Sequence, residues 1–235
     1  MKTQAVAADP RAKIIVALDL PARADALALV RALSPHPGLF KIGLQLFIAA
    51  GPDIVRAVRD LGSRVFLDLK LHDIPNTVGH GVESASSLGV EMLTLHLTGG
   101  RTMIEAAVAA APAELLLLGV TILTSSDDDT LRETGVTDTV ENQVARLVKL
   151  GVAAGLRGFV ASPHELQTLR RAHGSEIQIV TPGIRPVGAQ PNDQRRATTP
   201  KEALAAGADY LVIGRPITGA PDPRAALEQI VTDVV

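Results

Sequence analysis

Short runs of Val, Ile and Leu recur along the chain, separated by longer stretches in which Ala and Leu return every three or four positions among charged residues. Runs of the first kind read as strands buried on both faces, and stretches of the second as amphipathic helices that cover them. Eight strands are predicted: IIVALDL from Ile14, FKIG from Phe40, VFLDLK from Val65, MLTLHL from Met92, LLLLGVTIL from Leu115, GFVAS from Gly158, IQIVTPG from Ile177 and YLVIG from Tyr210. Helices are predicted over residues 23–33, 52–61, 76–88, 101–110, 139–154, 163–172, 200–206 and 222–234. Successive strands start about 25 to 40 residues apart, the length of one unit of a (β/α)8 barrel.

The punctuation between elements is repetitive. DLGSRVFLDL, SLGVEMLTL, AAGLRGFVAS and AAGADYLVIG each place a glycine where a helix should end and a strand begin. Glycine there adopts the left-handed cap at no steric cost. One architecture repeated along the chain implies a single barrel domain over residues 1–235 rather than two domains. A doubly wound sheet has the same alternation, but no G-x-G-x-x-G follows the first strand, and eight even units favour closure. Two connections are long, residues 124–138 and 184–199. Both follow strands, so both belong at the C-terminal face of a barrel, where this fold carries its chemistry.

Composition narrows the possibilities. Aromatic residues are only 2% of the 235, so aliphatic side chains do the packing. A formal net charge of −2 with no long basic block gives no footprint for nucleic acid or an anionic membrane. The chain lacks cysteine, which removes disulfides and thiolate metal sites. The N-terminus has no apolar signal core and the longest apolar runs are too short to span a bilayer. The reading is a cytoplasmic protein with no membrane partner.

Within the apolar pattern, RVFLDLKLHDIPNTV stands out, because Asp68, Lys70 and Asp73 crowd the end of the third strand. Charges in such a place must be paired, either as an ion-pair plug or as a working site. Residues two apart share a strand face, so Asp68 and Lys70 point into the barrel mouth while Leu67, Leu69 and Leu71 point away. Asp19 ends the first strand and Lys41 lies on the second. Barrel closure therefore brings Asp19, Lys41, Asp68 and Lys70 together, and three strands contributing favour a site over a plug. Asp19, Asp68 and Asp73 with His72 or His96 also form a possible ligand set for magnesium or zinc. The interleaved lysines oppose it, and no metal is expected. His72 and His96 read as packing residues or as supports behind the site, in preference to ligands.

A second cluster lies at strands seven and eight. TPGIRPVGAQPNDQRR and LVIGRPIT place Arg185 and Arg215 beside Gly183 and Gly214, with Gln194 between as a neutral donor. Barrel enzymes frequently bind phosphate at these two strand ends, and guanidinium groups supply planar charged donors for it. Arg195 and Arg196 read as surface charge. After strand five, Thr121, Thr124 and Ser125 offer hydroxyls for a polar ring or ribose, or else simple turn chemistry.

With VALDL, FKIGLQLF, FLDLKLHDIPNT, LHLTGG, TILTS, VTPGIRP, NDQRR and DYLVIGRPI in order, the chain resembles the bacterial orotidine 5′-phosphate decarboxylase family over almost its whole length. D-x-K-x-x-D-I-P-N-T is specific to that family, whereas D-x-K-x-x-D alone is shared with magnesium-dependent phosphosugar barrels. The resemblance implies cofactor-free decarboxylation of orotidine 5′-phosphate to uridine 5′-phosphate, by a homodimer with active sites at the interface. It implies Lys70 as proton donor to C6, Asp68 as the carboxylate facing the departing group, and Lys41 and Asp19 as ribose-binding partners. Asp73 and Thr77 would be lent by the neighbouring subunit. Thr124 and Ser125 would lie at the pyrimidine. Arg185, Gln194, Gly214 and Arg215 would hold the phosphate, under a closing loop of residues 184–199.

Overall fold

The computed structural model describes residues 9–33, 37–186 and 198–234. Eight strands, β1 (Ile14–Ala17), β2 (Leu39–Gly43), β3 (Val65–Leu71), β4 (Met92–His96), β5 (Leu116–Val120), β6 (Gly158–Val160), β7 (Gln178–Thr181) and β8 (Tyr210–Ile213), close into a barrel in sequence order. Every neighbouring pair is parallel, and β8 returns to β1. The helices are α1 (Arg23–Leu33), α2 (Leu44–Ala50), α3 (Asp53–Asp60), α4 (Pro75–Ser87), α5 (Arg101–Ala110), α6 (Asp128–Glu133), α7 (Val140–Ala153), α8 (Leu166–His173), α9 (Pro200–Ala205), α10 (Arg215–Thr218) and α11 (Pro223–Asp233).

Alternation along the strands divides the core in two. Ile15, Leu39, Phe66, Met92, Leu118 and Val180 pack together inside the barrel. Their neighbours Ile14, Val16, Phe40, Leu67, Leu93 and Ile179 belong to the larger cluster under the helices. Each large side chain buried this way contributes roughly 1.5–3 kcal/mol. Phe66 is 2% exposed inside the barrel, and Phe66→Ala should cost about 3–5 kcal/mol.

The glycine punctuation appears as expected. Gly62, Gly89, Gly155 and Gly207 all have positive φ, at 78°, 69°, 97° and 109°. Some helix starts are capped by side chains: Thr139 accepts from Asn142 N–H, and Thr199 forms a reciprocal capping box with Glu202. Three helices were not predicted. α2 follows β2 without a loop and exposes Leu44 and Ile48, so its pattern carries no amphipathic signal. α6 lies inside the long connection after β5, begun by Asp127 accepting from Thr130 N–H. α10 is only four residues long. The first, fifth, sixth and seventh strands are shorter than predicted, ending at Ala17, Val120, Val160 and Thr181.

Candidate active site

The C-terminal ends of β1, β2 and β3 carry an unbroken chain of charges. Lys41 Nζ donates to Asp19 Oδ1 at 3.0 Å and lies 3.5 Å from Asp68 Oδ2, while Lys70 Nζ donates to Asp68 Oδ1 at 2.8 Å. Strand β2 places Lys41 in the barrel mouth, and Gly43 leaves room for it. A Cβ at Gly43 would sit 3.1 Å from Lys41 Nζ and 3.3 Å from Asp19 Oδ1, pressing into the ion pair. The array runs from interior to solvent, with side-chain exposure of 13% at Asp68 and 62% at Asp19. Burial of Asp68 alone would raise its pKa, but the charges of Lys41 and Lys70 oppose this. With hydrogen bonds from Lys70 and Thr94 they hold the carboxyl below the usual carboxylate range.

Asp68 and Lys70 do meet, but not by a regular pleat. Pairing of β3 with β4 runs Phe66 to Met92 and Leu67 to Leu93, then resumes at Leu71 with Leu95. Residues 68–70 of β3 thus oppose Thr94 alone. Lys70 has φ of 52°, the single positive value among the described non-glycine residues. Its backbone N–H donates to Thr94 Oγ1 at 2.9 Å, and Thr94 Oγ1 donates to Asp68 Oδ1 at 3.0 Å. Thr94 is nearly silent in the sequence. Its only signal was a hydroxyl inside the otherwise apolar MLTL run.

Lys41, Asp68 and Lys70 form one wall of a cavity of about 160 Å³. Phe66, Val120, Ile122, Val160, Pro182 and Val212 make the rest mostly apolar, and Thr124 reaches its rim. Apolar walls exclude water, which strengthens the electrostatics of the charged side. Next to it, sharing Lys41, Pro182 and Val212, is a more polar pocket of about 340 Å³ lined by Asp19, Gly183, Arg185, Gly214 and Arg215. Arg185 is 8% exposed and donates to the Ile184 carbonyl, and no described carboxylate pairs with it. Burial first, and then the charge of Arg215, lower its pKa. Two guanidinium groups that repel one another across a pocket favour an anion between them.

Other sequence-predicted residues lie elsewhere. Ser125 is exposed and does not line either cavity. Asp73 and Thr77 are exposed at the start of α4, and among the described residues the Asp73 carboxylate accepts from Ile74 N–H alone, outside the array of its own chain. Gln194, Arg195 and Arg196 lie outside the described residues, whose flanks are joined by a parallel bridge between Ile184 and Thr198. The rings of His72 and His96 lie with centroids 5.5 Å apart, tilted by 46° to one another. Burial, then His72 and Lys70, lower the His96 pKa against the pull of Asp68. Among the described residues no group of three acidic, histidine or cysteine side chains is arranged to hold a metal ion.

Fold and site together define a class: a parallel (β/α)8 barrel with alternating lysines and aspartates at strands one to three and an arginine-lined pocket at strands seven and eight. Comparison with known proteins is more specific. The Orotidine 5′-phosphate decarboxylase / HUMPS family matches residues 12–230, and the chain belongs to that family. It is 52% identical over 231 residues to the orotidine 5′-phosphate decarboxylase of Moorella thermoacetica, covering 94% of this chain and 92% of that one. Identity to the enzyme of the same name from Opitutus terrae is 53% over 225 residues, covering 94% and 97%. The crystal structure of orotidine 5′-phosphate decarboxylase from Lactobacillus acidophilus superposes with a TM-score of 0.83 at 39% identity, covering 94% of this chain and 98% of that one.

Proposed function

We propose that this chain converts orotidine 5′-phosphate to uridine 5′-phosphate in pyrimidine biosynthesis, as a carboxy-lyase using neither metal nor organic cofactor. The observation that carries the reading is the continuous array Asp19, Lys41, Asp68, Lys70 beside an arginine-lined pocket. Family membership and relatives named for this activity support it. In this reading Arg185, Arg215, the backbone at Gly214, and Gln194 take the phosphate. Asp19 and Lys41 take the ribose hydroxyls, and Thr124 and Ser125 the pyrimidine.

The chemistry needs such an array. Breaking the bond from C6 to the carboxyl carbon leaves its electron pair on C6, in the ring plane, where the ring carbonyls cannot delocalise it by conjugation. A fixed ammonium group at C6 stabilises that charge without reorganisation. Lys70 serves here: carbon dioxide departs, a proton passes from Lys70 Nζ to C6, and the lysine recovers a proton from solvent. Asp68, kept ionised by the two lysines, orients Lys70 and faces the substrate carboxylate. Phosphate binding at the far pocket contributes to rate by holding C6 in register.

The same proposal extends to assembly: residues 1–235 form one catalytic domain, working in the cytoplasm as a homodimer with active sites at the interface. Asp73 and Thr77 are exposed rather than turned toward their own Lys70, which suits residues that serve a neighbouring subunit. Ile74 is 66% exposed beside them, and Leu44, Ile48 and Leu123 are exposed too, apolar surface that a partner would cover. No described helix is long and apolar enough to cross a membrane.

A magnesium-dependent phosphosugar enzyme is the second reading, favoured by the shared D-x-K-x-x-D motif and by the breadth of the family. Against it, Lys41 Nζ lies 3.5 Å from Asp68 Oδ2, where a cation bound by Asp68 would meet an ammonium group. The test is carbon dioxide release from orotidine 5′-phosphate with and without a chelator. Release unaffected by chelation supports the decarboxylase, whereas no release, or release abolished by the chelator, rejects the cofactor-free reading.

A further inference from the structure

We infer that Thr94 is a positioning residue for the reaction: its hydroxyl replaces the strand hydrogen bond that β3 gives up at Lys70, and so locks Lys70 and Asp68 into one geometry. This inference rests on the decarboxylase reading. Parallel pairing between β3 and β4 is interrupted where residues 68–70 face Thr94 alone. An interrupted ladder leaves backbone donors to be satisfied by something else, since a buried unpaired N–H is costly. At Lys70 that donor goes to Thr94 Oγ1, at 2.9 Å. The residue so held has the left-handed φ of 52°, a conformation that persists in a lysine only if its surroundings impose it.

The hydroxyl has a second task. A threonine hydroxyl has a single proton, and accepting from Lys70 N–H leaves that proton for Asp68 Oδ1, 3.0 Å away. The same Asp68 oxygen receives Lys70 Nζ at 2.8 Å. Backbone N–H, hydroxyl, carboxylate and ammonium thus close a ring in which the main chain and the side-chain tip of Lys70 are tied to one carboxylate. Thr94 is fully buried and makes no contribution to either cavity wall, so it acts through Lys70 and Asp68 and not on the substrate. The ring fixes the Lys70 ammonium, the group that must lie at C6.

Thr94→Val keeps the shape and removes the hydroxyl. It should lower kcat by about tenfold to a hundredfold, the loss typical of a reacting group displaced by about 1 Å, with KM changed less than about threefold. Thr94→Ser restores the hydroxyl and should recover kcat to within about threefold of wild type. If Thr94→Val does not fold, Thr94→Ala removes the same hydroxyl without a new methyl against Lys70 N–H and carries the same expectation.

The acid limb of the kcat profile gives a readout that a purely structural role would not move. Asp68 is faced by Lys41 from β2, by Lys70 on its own strand and by Thr94 from β4, with His96 and His72 beyond Lys70. Losing the Thr94 donor should move the limb governed by Asp68 to higher pH, and Thr94→Ser should return it. Unchanged kcat and limb in a folded Thr94→Val enzyme would overturn the inference, as would a Thr94→Ser enzyme as slow as Thr94→Val. If the wild-type protein does not turn over orotidine 5′-phosphate, the functional reading fails instead. Titration of the Asp68 carboxyl by carbon-13 NMR then decides Thr94 separately: an upward shift in Thr94→Val sustains the ring, and no shift refutes it.

Discussion

Lys70 combines the group proposed to carry the chemistry with the one left-handed backbone among the described non-glycine residues, and the two roles can be separated by a pair of substitutions. Lys70→Ala and Lys70→Gly both remove the ammonium 2.8 Å from Asp68 and leave that carboxylate to Lys41 at 3.5 Å, so this loss cancels between them. What differs is the backbone. A φ of 52° costs an alanine about 1–2 kcal/mol relative to ordinary conformations, a penalty glycine avoids. Glycine in turn loses about 0.5–1 kcal/mol more conformational entropy on folding. The balance favours Lys70→Gly by about 0.5–1 kcal/mol, the reverse of the order expected within a strand. For a chain of 235 residues that is roughly 1–4 °C in Tm. Thermal and urea unfolding of the two variants measure it directly. Lys70→Ala equal to or more stable than Lys70→Gly would show that no strain is held at Lys70. Both variants should lose at least about 10⁴-fold in kcat, because a preorganised charge and a proton donor disappear together.

Three other outcomes are expected. Arg215→Ala should weaken binding of uridine 5′-phosphate and also lower kcat by about tenfold or more, if phosphate binding positions C6; isothermal titration and steady-state rates check it, and unchanged values remove Arg215 from the site. Mixing equal amounts of Lys70→Ala and Asp73→Asn subunits should restore about a quarter of wild-type activity, since half of the randomly assembled dimers would carry one intact site of two; mixtures no more active than their parents would place Asp73 outside a shared site. Asp68 has a folded pKa below its unfolded value, so its contribution to stability is present above the unfolded value and is lost as pH falls through the folded one. Asp68→Asn should therefore be less stable than wild type at neutral pH, by a margin that closes below about pH 4, and a margin independent of pH in urea titrations would contradict the pairing.

Much of this architecture was legible because the period of the sequence matches the period of the structure. All eight strands begin within a residue or two of where their apolar runs begin, and the four repeated glycines have the left-handed caps their position demands. The meeting of Asp19, Lys41 and Asp68 followed from strand alternation carried around a closed barrel, whereas Lys70 joins them through the irregularity in β3 and not through its pleat. What the sequence did not disclose depends on contacts between elements. Nothing in the residue type of Lys70 signals positive φ, which a glycine or asparagine would have done, and the β3 bulge arises from pairing with β4. Thr94 gains meaning only beside that bulge. Helix α2 is not legible in the sequence because its apolar residues Leu44 and Ile48 face outward, against the rule that apolar faces seek the core. The same exposure is what a dimer interface would need.

Absorbance change of orotidine 5′-phosphate on adding the purified protein, with chelator present, tests the central proposal most directly when wild type and Lys70→Ala are compared side by side. Wild type should consume the substrate and yield uridine 5′-phosphate at a rate the chelator does not alter, while Lys70→Ala should leave the spectrum nearly unchanged. An inert wild-type protein, or a Lys70→Ala variant that keeps most of the activity, would contradict it.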